Sequence, residues 1–230
     1  MLILGNFLRK LSSYIQKPGS SFKRHNNQYE SFTEEEIVDL KEHFAKWDEV
    51  NEFNAEQQKF GDLLKNNPQV RFVAVDIGAG AGWLSATLSR SYMFEKIIAI
   101  EPSKKVVEIA KNIFPKKEYS NIEWVIGFAE QVLPEINFKN PVAFFTGVVL
   151  SHLRDPEVAV ICRAVSNNAP KGSILGFSEC WGAEWHQNMW HVRTKEWWQK
   201  QLPEWDLIFF GPEIQGIKGR YKGIHGVKIK

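Results

Sequence analysis

Cysteine is scarce in this chain of 230 residues, and two residues, Cys162 and Cys180, cannot form the disulfide framework of a small secreted protein. We therefore expect a reducing, cytoplasmic location. Long apolar runs are also missing. The longest candidate, residues 142–150, is far shorter than the roughly 18 residues that a membrane-spanning helix needs. Residues 1–4 are apolar but have no basic flank or small-residue cleavage site, so no signal peptide is predicted.

A strong charge imbalance is missing as well. The net charge is only +2, with 43% hydrophobic and 24% charged residues, which excludes a disordered or collagen-like chain. Residues 1–29 and 214–230 contain no acidic residue, and each of these two segments holds five Lys or Arg. These basic ends fit solvated tails, a phosphate-bearing ligand or an anionic surface. No basic stripe interleaves with aromatic residues, so nucleic acid is not predicted as a partner.

Residues 1–68 read as a helical extension. An apolar stripe formed by Leu4, Leu8, Leu11 and Ile15 predicts a short amphipathic helix. This helix could pack on its own domain, or residues 1–17 could associate weakly with a membrane surface without stable insertion. A capping-box pattern at residues 33–36 predicts a helix towards Trp47, and another is predicted over residues 54–66.

Residues 69–230 form the predicted main domain, because strands and helices alternate along them. Buried-strand runs occupy residues 72–76, 97–100, 122–126, 142–145 and 173–177, with helices to about residue 90 and over 103–114 and 156–167. This alternation predicts a Rossmann-like, mostly parallel sheet with helices on both faces. Residues 181–203 are predicted as a substrate-side insertion, and strands at 207–210 and 224–229 as a hairpin at one sheet edge.

The strongest motif is the run of Asp76, Gly78, Gly80 and Gly82 between the first strand and the first helix. Glycine permits a sharp turn and a close approach of ligand to backbone, and helix amides then face the ligand. Glu101 ends the second strand, where a carboxylate can accept hydrogen bonds from ribose hydroxyls. A nucleoside-containing ligand is therefore predicted. A dinucleotide is disfavoured, because Trp83 stands where its fingerprint requires glycine.

Several segments together resemble class I S-adenosylmethionine-dependent methyltransferases. Residues 75–82 (VDIGAGAG) are similar to the first motif of that family, 99–103 (AIEPS) to its ribose-binding strand end and 127–130 (GFAE) to its adenine segment. Residues 149–156 and 169–173 resemble the segments after strand four and before strand five.

The resemblance implies a seven-stranded sheet with an antiparallel last strand. It also implies S-adenosylmethionine as cofactor and S-adenosylhomocysteine as product. The implied cofactor contacts are Asp76, Gly78, Gly80, Gly82, Trp83, Glu101, Pro102, Phe128, Ala129, Glu130, Thr146 and Gly147.

The acceptor is predicted to be a small molecule methylated on a hydroxyl, possibly that of a saccharide. Histidine is the usual general base near neutral pH, and the candidates are His152, His186 and His191. Aromatic faces beside a cation suit sugar rings or aromatic acceptors, which makes Trp181, Trp185, Trp190 and Arg193 the candidate substrate-binding residues. The tryptophans could equally pack a helix over residues 194–201 on the sheet.

Two other classes of protein stay open at this point. One is an NAD(P)-dependent oxidoreductase, and the other is a non-catalytic binding protein on the same fold. A metal site is not predicted, because His186 and His191 are five residues apart, which is not same-face spacing on a helix. The oligomeric state is left undetermined.

Overall fold

The computed structural model describes residues 72–90, 93–147, 149–179, 181–182, 185–187, 190–210 and 223–230. The N-terminal extension predicted over residues 1–68, with its helices and its apolar stripe, lies outside these residues. Within them, no helix has the length and apolar character that crossing a membrane requires.

The first half of the described chain alternates strands and helices as expected. Its elements are β1 (Phe72–Ile77), α1 (Trp83–Ser89), β2 (Phe94–Glu101), α2 (Lys104–Ile113), β3 (Ile122–Ile126), α3 (Ala129–Val132) and a 3-10 turn (Leu133–Glu135). Helix α2 begins at the N-cap Ser103, whose hydroxyl accepts the amide of Val106.

The second half continues the alternation and then departs from it. Its elements are β4 (Val142–Gly147), a 3-10 turn (Leu150–His152), α4 (Asp155–Asn168), β5 (Ile174–Ser178), β6 (Trp185–Gln187), β7 (Trp190–Val192), α5 (Lys195–Gln201), β8 (Trp205–Phe210) and β9 (Gly223–Lys228). Strands β6 and β7 form a separate two-stranded antiparallel hairpin inside the predicted insertion.

Seven strands form the main sheet in the order β3-β2-β1-β4-β5-β9-β8. Strands β1 to β5 pair in parallel, whereas β9 runs antiparallel to both β5 and β8. This confirms the predicted Rossmann-like sheet with its antiparallel last strand. The strand order reverses between β1 and β4, and the carboxyl ends at such a reversal form the usual ligand crevice of an open parallel sheet.

Both faces of the sheet are buried, because alternate residues of each central strand enter different clusters. In β4, Val142 and Phe144 pack in the cluster that contains the buried face of α4. Ala143 and Phe145 belong to the opposite cluster, with Ala86 of α1. A near-continuous apolar strand is the pattern expected of a parallel sheet covered on both sides.

Several tryptophans between residues 181 and 205 belong to the core. Thr194 caps α5 by accepting the amide of Trp197, and Trp198 is completely buried edge-on against Phe177. The indole nitrogen of Trp205 donates to the Ser166 hydroxyl at 3.1 Å. The alternative prediction, in which tryptophans pack a helix over residues 194–201 on the sheet, is therefore correct for these buried tryptophans.

The β6–β7 hairpin was not predicted. Because His186 and His191 lie on its strands, the argument that judged their spacing as that of a helix was wrong. His186 and His191 are direct register partners across the hairpin. Their separation is set by strand pairing, so helical spacing does not apply to them. Strands of three residues are too short for a period-two pattern to identify.

Candidate functional site

The glycine turn after β1 has a backbone that other residues rarely adopt. Gly78, Gly80 and Gly82 have φ angles of 71°, 54° and 88°. The amides of Gly78 and Ala79 both donate to the Ile100 carbonyl of β2 at 2.9 Å. A Cβ atom on Gly78 would lie 2.6 Å from Cγ2 of Val149, and one on Gly82 would lie 2.5 Å from Cη2 of Trp124. Glycine is therefore required both by conformation and by space.

Glu101 links the end of β2 to this turn. Its carboxylate accepts the amide of Gly80 at 3.0 Å through Oε2 and the amide of Ser103 at 2.9 Å through Oε1. Glu101 is only 4% exposed, and the following residue, Pro102, is half-buried. A carboxylate can accept about four hydrogen bonds. Holding the two amides is thus compatible with also accepting hydroxyls of a ribose.

Asp76 is buried at the carboxyl end of β1. Its Oδ2 accepts the Ser85 hydroxyl of α1 at 2.6 Å. Burial raises the pKa of Asp76 to about 7, because desolvation outweighs the opposing hydrogen bonds from Ser85, and the nearby Glu101 raises it further. A cationic group bound beside Asp76 would favour its charged form. The site thus suits a ligand that carries an ammonium group.

The predicted adenine segment follows β3 at the same end of the sheet. Phe128 precedes the first turn of α3, in which Ala129 and Glu130 lie, and all three residues are half-buried. The segment is tied to the acidic strand end, because the amide of Gly127 donates to the Glu101 carbonyl at 3.2 Å. Trp83 opens α1 and packs edge-on against Phe114, with ring centroids 4.8 Å apart.

Strand β4 brings Thr146 and Gly147 next to the turn, since Thr146 pairs with Ile77 at the end of β1. Thr146 is fully buried. Gly147 is exposed, and a Cβ atom built on it would meet nothing within 4 Å. The structure thus gathers the ends of β1, β2, β3 and β4 with all the predicted cofactor residues at one sheet edge.

Sequence reasoning missed Glu179, which follows β5 and is completely buried. Its Oε1 accepts the amide of Leu150 at 3.0 Å, and its Oε2 accepts both the amide and the hydroxyl of Ser151 at 2.8 Å. Burial raises the pKa of Glu179 above its usual range, although these hydrogen bonds oppose the rise. An acidic residue directly after an apolar strand was the available signal.

Arg193 is not placed to meet a substrate. Its guanidinium donates to Asp155 at 2.8 Å, to the Leu150 carbonyl at 2.9 Å and to the Leu153 carbonyl, and the residue is 2% exposed. It also lies over the Trp197 ring, 4.9 Å from the centroid. The prediction that Arg193 binds substrate needs correction, because its planar fork is engaged inside the protein.

Trp181 likewise lies in the interior, at 2% exposure, with its ring packed edge-on against Phe209 and under the ammonium of Lys195. A face covered in this way does not form a substrate platform, which corrects the expectation for Trp181. Trp185 and Trp190 lie on β6 and β7, where they pair in register with Val192 and Gln187.

The segments that carry the three candidate histidines are neighbours in the fold. His152 ends the 3-10 turn after β4 and is half-buried. Strand β7, which carries His191 opposite His186, packs against that turn. Among the residues that the structure describes, no group of three His, Cys, Asp or Glu side chains is arranged to hold a metal ion.

Comparisons with known proteins agree with this geometry. The family model described as a methyltransferase domain matches residues 74–172. None of the curated proteins matches the chain. The match to the family model confirms the resemblance drawn from the motifs, and it favours a methyltransferase over the oxidoreductase alternative.

Solved structures are similar in fold at low identity. An amino pentose methyltransferase from Micromonospora echinaspora is 11% identical, with a TM-score of 0.59 over 82% of this chain and 97% of that one. An S-adenosylmethionine-dependent methyltransferase from Clostridium acetobutylicum is 12% identical, with a TM-score of 0.58 over 85% and 98%. A mitomycin 7-O-methyltransferase is 17% identical, with a TM-score of 0.54 over 69% and 49%.

Proposed function

We propose that the chain, whose residues 74–172 match the model of a methyltransferase domain, transfers a methyl group from S-adenosylmethionine to a hydroxyl of a small molecule, a saccharide being the first candidate. The observation that carries the proposal is the position of the β6–β7 hairpin. Its strand β7 packs on the 3-10 turn that ends at His152, and this turn closely follows the open position of Gly147 in the chain. An acceptor bound there would be next to the cofactor end of β4.

The chain's own residues fit the cofactor. The glycine turn lets its backbone approach the ligand, Glu101 is placed for the ribose, and Asp76 is placed for the ammonium group. Phe128, Ala129 and Glu130 would line the adenine. When bound, the cofactor supplies a methyl group attached to a positively charged sulfur. The protein's part is to hold the acceptor in line with that group, since holding two reactants in the reacting geometry lowers the barrier to such a displacement.

A hydroxyl acceptor must lose a proton, and a histidine near the acceptor can take it on a ring nitrogen. We propose His152, His186 and His191 as the candidates for this general base. Trp185 and Trp190 remain the proposed acceptor contacts, because they lie on the same hairpin as His186 and His191.

Two similar structures support a small acceptor. One is described as an amino pentose methyltransferase with bound S-adenosylmethionine, and the other as a mitomycin 7-O-methyltransferase. Another structure of the same fold, from Streptococcus thermophilus, is described as an rRNA methylase, with a TM-score of 0.53. The acceptor class therefore has to be tested with both kinds of substrate.

The test is transfer of tritium from methyl-labelled S-adenosylmethionine to saccharides, aromatic hydroxyl compounds and ribosomal RNA. We expect label on a hydroxyl compound. His152→Ala, His186→Ala and His191→Ala are each measured at saturating cofactor, and one of them should lower kcat strongly. His225→Gln is the control, because His225 lies in the middle of β9. Label on RNA alone would refute a small acceptor, and full activity in all three alanine variants would refute a histidine base.

A further inference from the structure

We propose that Glu179 and Arg193 are positioning residues that set the affinity of the cofactor site from outside it. They hold the loop of residues 149–154 from opposite sides, so that Val149 stays against the glycine turn. The inference rests on the proposed function, since it assumes that the turn at Gly78 binds S-adenosylmethionine.

Glu179 fixes the amide side of the loop. One buried carboxylate receives the amides of Leu150 and Ser151 and the Ser151 hydroxyl. Charged acceptors make stronger hydrogen bonds than neutral ones, and a buried donor left without its acceptor is costly. The start of the 3-10 turn is therefore held to the end of β5.

Arg193 fixes the carbonyl side of the same loop. Its guanidinium donates to the carbonyls of Leu150 and Leu153 and to the carboxylate of Asp155, which begins α4. Leu150 is thus held at its amide by Glu179 and at its carbonyl by Arg193. Arg193 also follows β7 directly, so the acceptor-side hairpin and the loop share one anchor.

Val149 transmits this position to the cofactor turn. It immediately precedes the doubly held Leu150, and its branched side chain fills the space where a Cβ atom on Gly78 would lie, at 2.6 Å from Cγ2. A tightly packed contact resists small displacements. A shift of the loop would therefore displace Val149 and change the packing against Gly78, even though neither Glu179 nor Arg193 belongs to the glycine turn.

The experiment measures binding of S-adenosylhomocysteine to the full chain by titration calorimetry, together with the melting temperature of each variant. In Glu179→Gln an amide group replaces one acceptor oxygen and faces a backbone donor, so binding should weaken by about tenfold. Arg193→Lys keeps the charge but loses the planar fork, and it should weaken binding in the same direction. Val149→Ala leaves every hydrogen bond in place and should also weaken binding.

Lys228→Met is the matched control for a merely destabilised fold. Lys228 is buried, and its ammonium donates to the carbonyls of Ser166 and Ala169 at the end of α4. Its loss should lower the melting temperature and leave the affinity within about twofold of the wild-type value, because separate sites act independently.

The possible outcomes distinguish a failure of this inference from a failure of the proposed function. Failure of the wild-type chain to bind S-adenosylhomocysteine would overturn the proposed function. Wild-type binding with unchanged affinity in Glu179→Gln and Val149→Ala would overturn only the inference. If Glu179→Gln does not fold, Ser151→Ala removes just one hydrogen bond to Glu179 and takes its place. Weakening in that variant, with Lys228→Met unaffected, supports the inference, and no weakening overturns it.

Discussion

Replacing Gly78 with alanine should destabilise the protein more than the same change at two other glycines. Two separate costs meet at Gly78. Its φ of 71° lies in the left-handed region, and its new Cβ atom would lie 2.6 and 2.9 Å from Cγ2 and Cβ of Val149. Gly172 has a φ of 83° but its nearest neighbour, Pro141, is 3.8 Å away. Gly147 has neither a left-handed φ nor a neighbour within 4 Å.

Comparing alanine at these three positions distinguishes the cost of backbone strain from the cost of steric overlap. A left-handed conformation costs a residue with a Cβ atom about 1–2 kcal/mol, and overpacking costs about 1–3 kcal/mol more. We expect Gly78→Ala to lose about 2–5 kcal/mol of unfolding free energy and Gly172→Ala about 1–2 kcal/mol. Gly147→Ala should stay within about 0.5 kcal/mol. The entropy that alanine removes from the unfolded chain is common to all three and cancels in the comparison.

The assay is chemical denaturation followed by circular dichroism, with thermal melting as a second readout at roughly 2–4 °C per kcal/mol. Adding Val149→Ala to Gly78→Ala should recover at least about 1 kcal/mol, because it removes both γ carbons from the overlap. Equal losses in Gly78→Ala and Gly172→Ala, or no recovery in the double variant, would refute the reasoning that Val149 fills the space beside Gly78.

Three further changes have defined outcomes. Burial raises the pKa of Asp76 from 3.8 to about 7, so the folded state holds that proton more tightly and loses stability as pH rises between these values. In denaturation curves measured at pH 5 and pH 8, Asp76→Asn should reduce the difference in unfolding free energy between the two pH values. An unchanged difference would contradict a raised pKa of Asp76. Glu101→Ala should weaken S-adenosylhomocysteine binding by roughly 10–100-fold in calorimetry, with no NADH binding in either form. Equal affinity would contradict its ribose role. Trp198→Ala should cost about 3–5 kcal/mol of unfolding free energy, and exposed Gln199→Ala almost none. Similar losses in both would contradict the core position of Trp198.

The parallel sheet could be predicted because its signals are local. Each central strand is a short apolar run, and each is separated from the next by a helix-length segment. Right-handed crossovers between parallel strands then place helices on both faces of the sheet. The cofactor turn was equally accessible, since Gly78, Gly80 and Gly82 fall between a strand and a helix, and Glu101 ends the next strand.

The structure of the region proposed to bind the acceptor could be predicted only in part. The tryptophans were recognised as a cluster, but composition does not distinguish a core ring from an exposed one. Trp181 and Trp198 are buried by partners from other elements, Phe209 and Phe177. Arg193 was predicted to bind substrate because it is a cation beside aromatic residues. Its guanidinium instead donates to carbonyls 40 and 43 residues earlier in the chain. Such pairings depend on how helices and loops pack, and no periodicity carries them.

By itself the sequence determined the strand–helix alternation, the glycine turn after Asp76 and the acidic end of the second strand, because each depends on residues that are neighbours along the chain. These motifs predicted a nucleoside-containing ligand, and their resemblance to a known family predicted which one. Only the tertiary structure decided that Val149 stands against Gly78 and that Glu179 holds an amide 29 residues away. It alone placed His186 opposite His191 on a hairpin. The physical reason is that close packing and buried hydrogen bonds join residues by their distance in space, whereas a sequence pattern records only their separation along the chain.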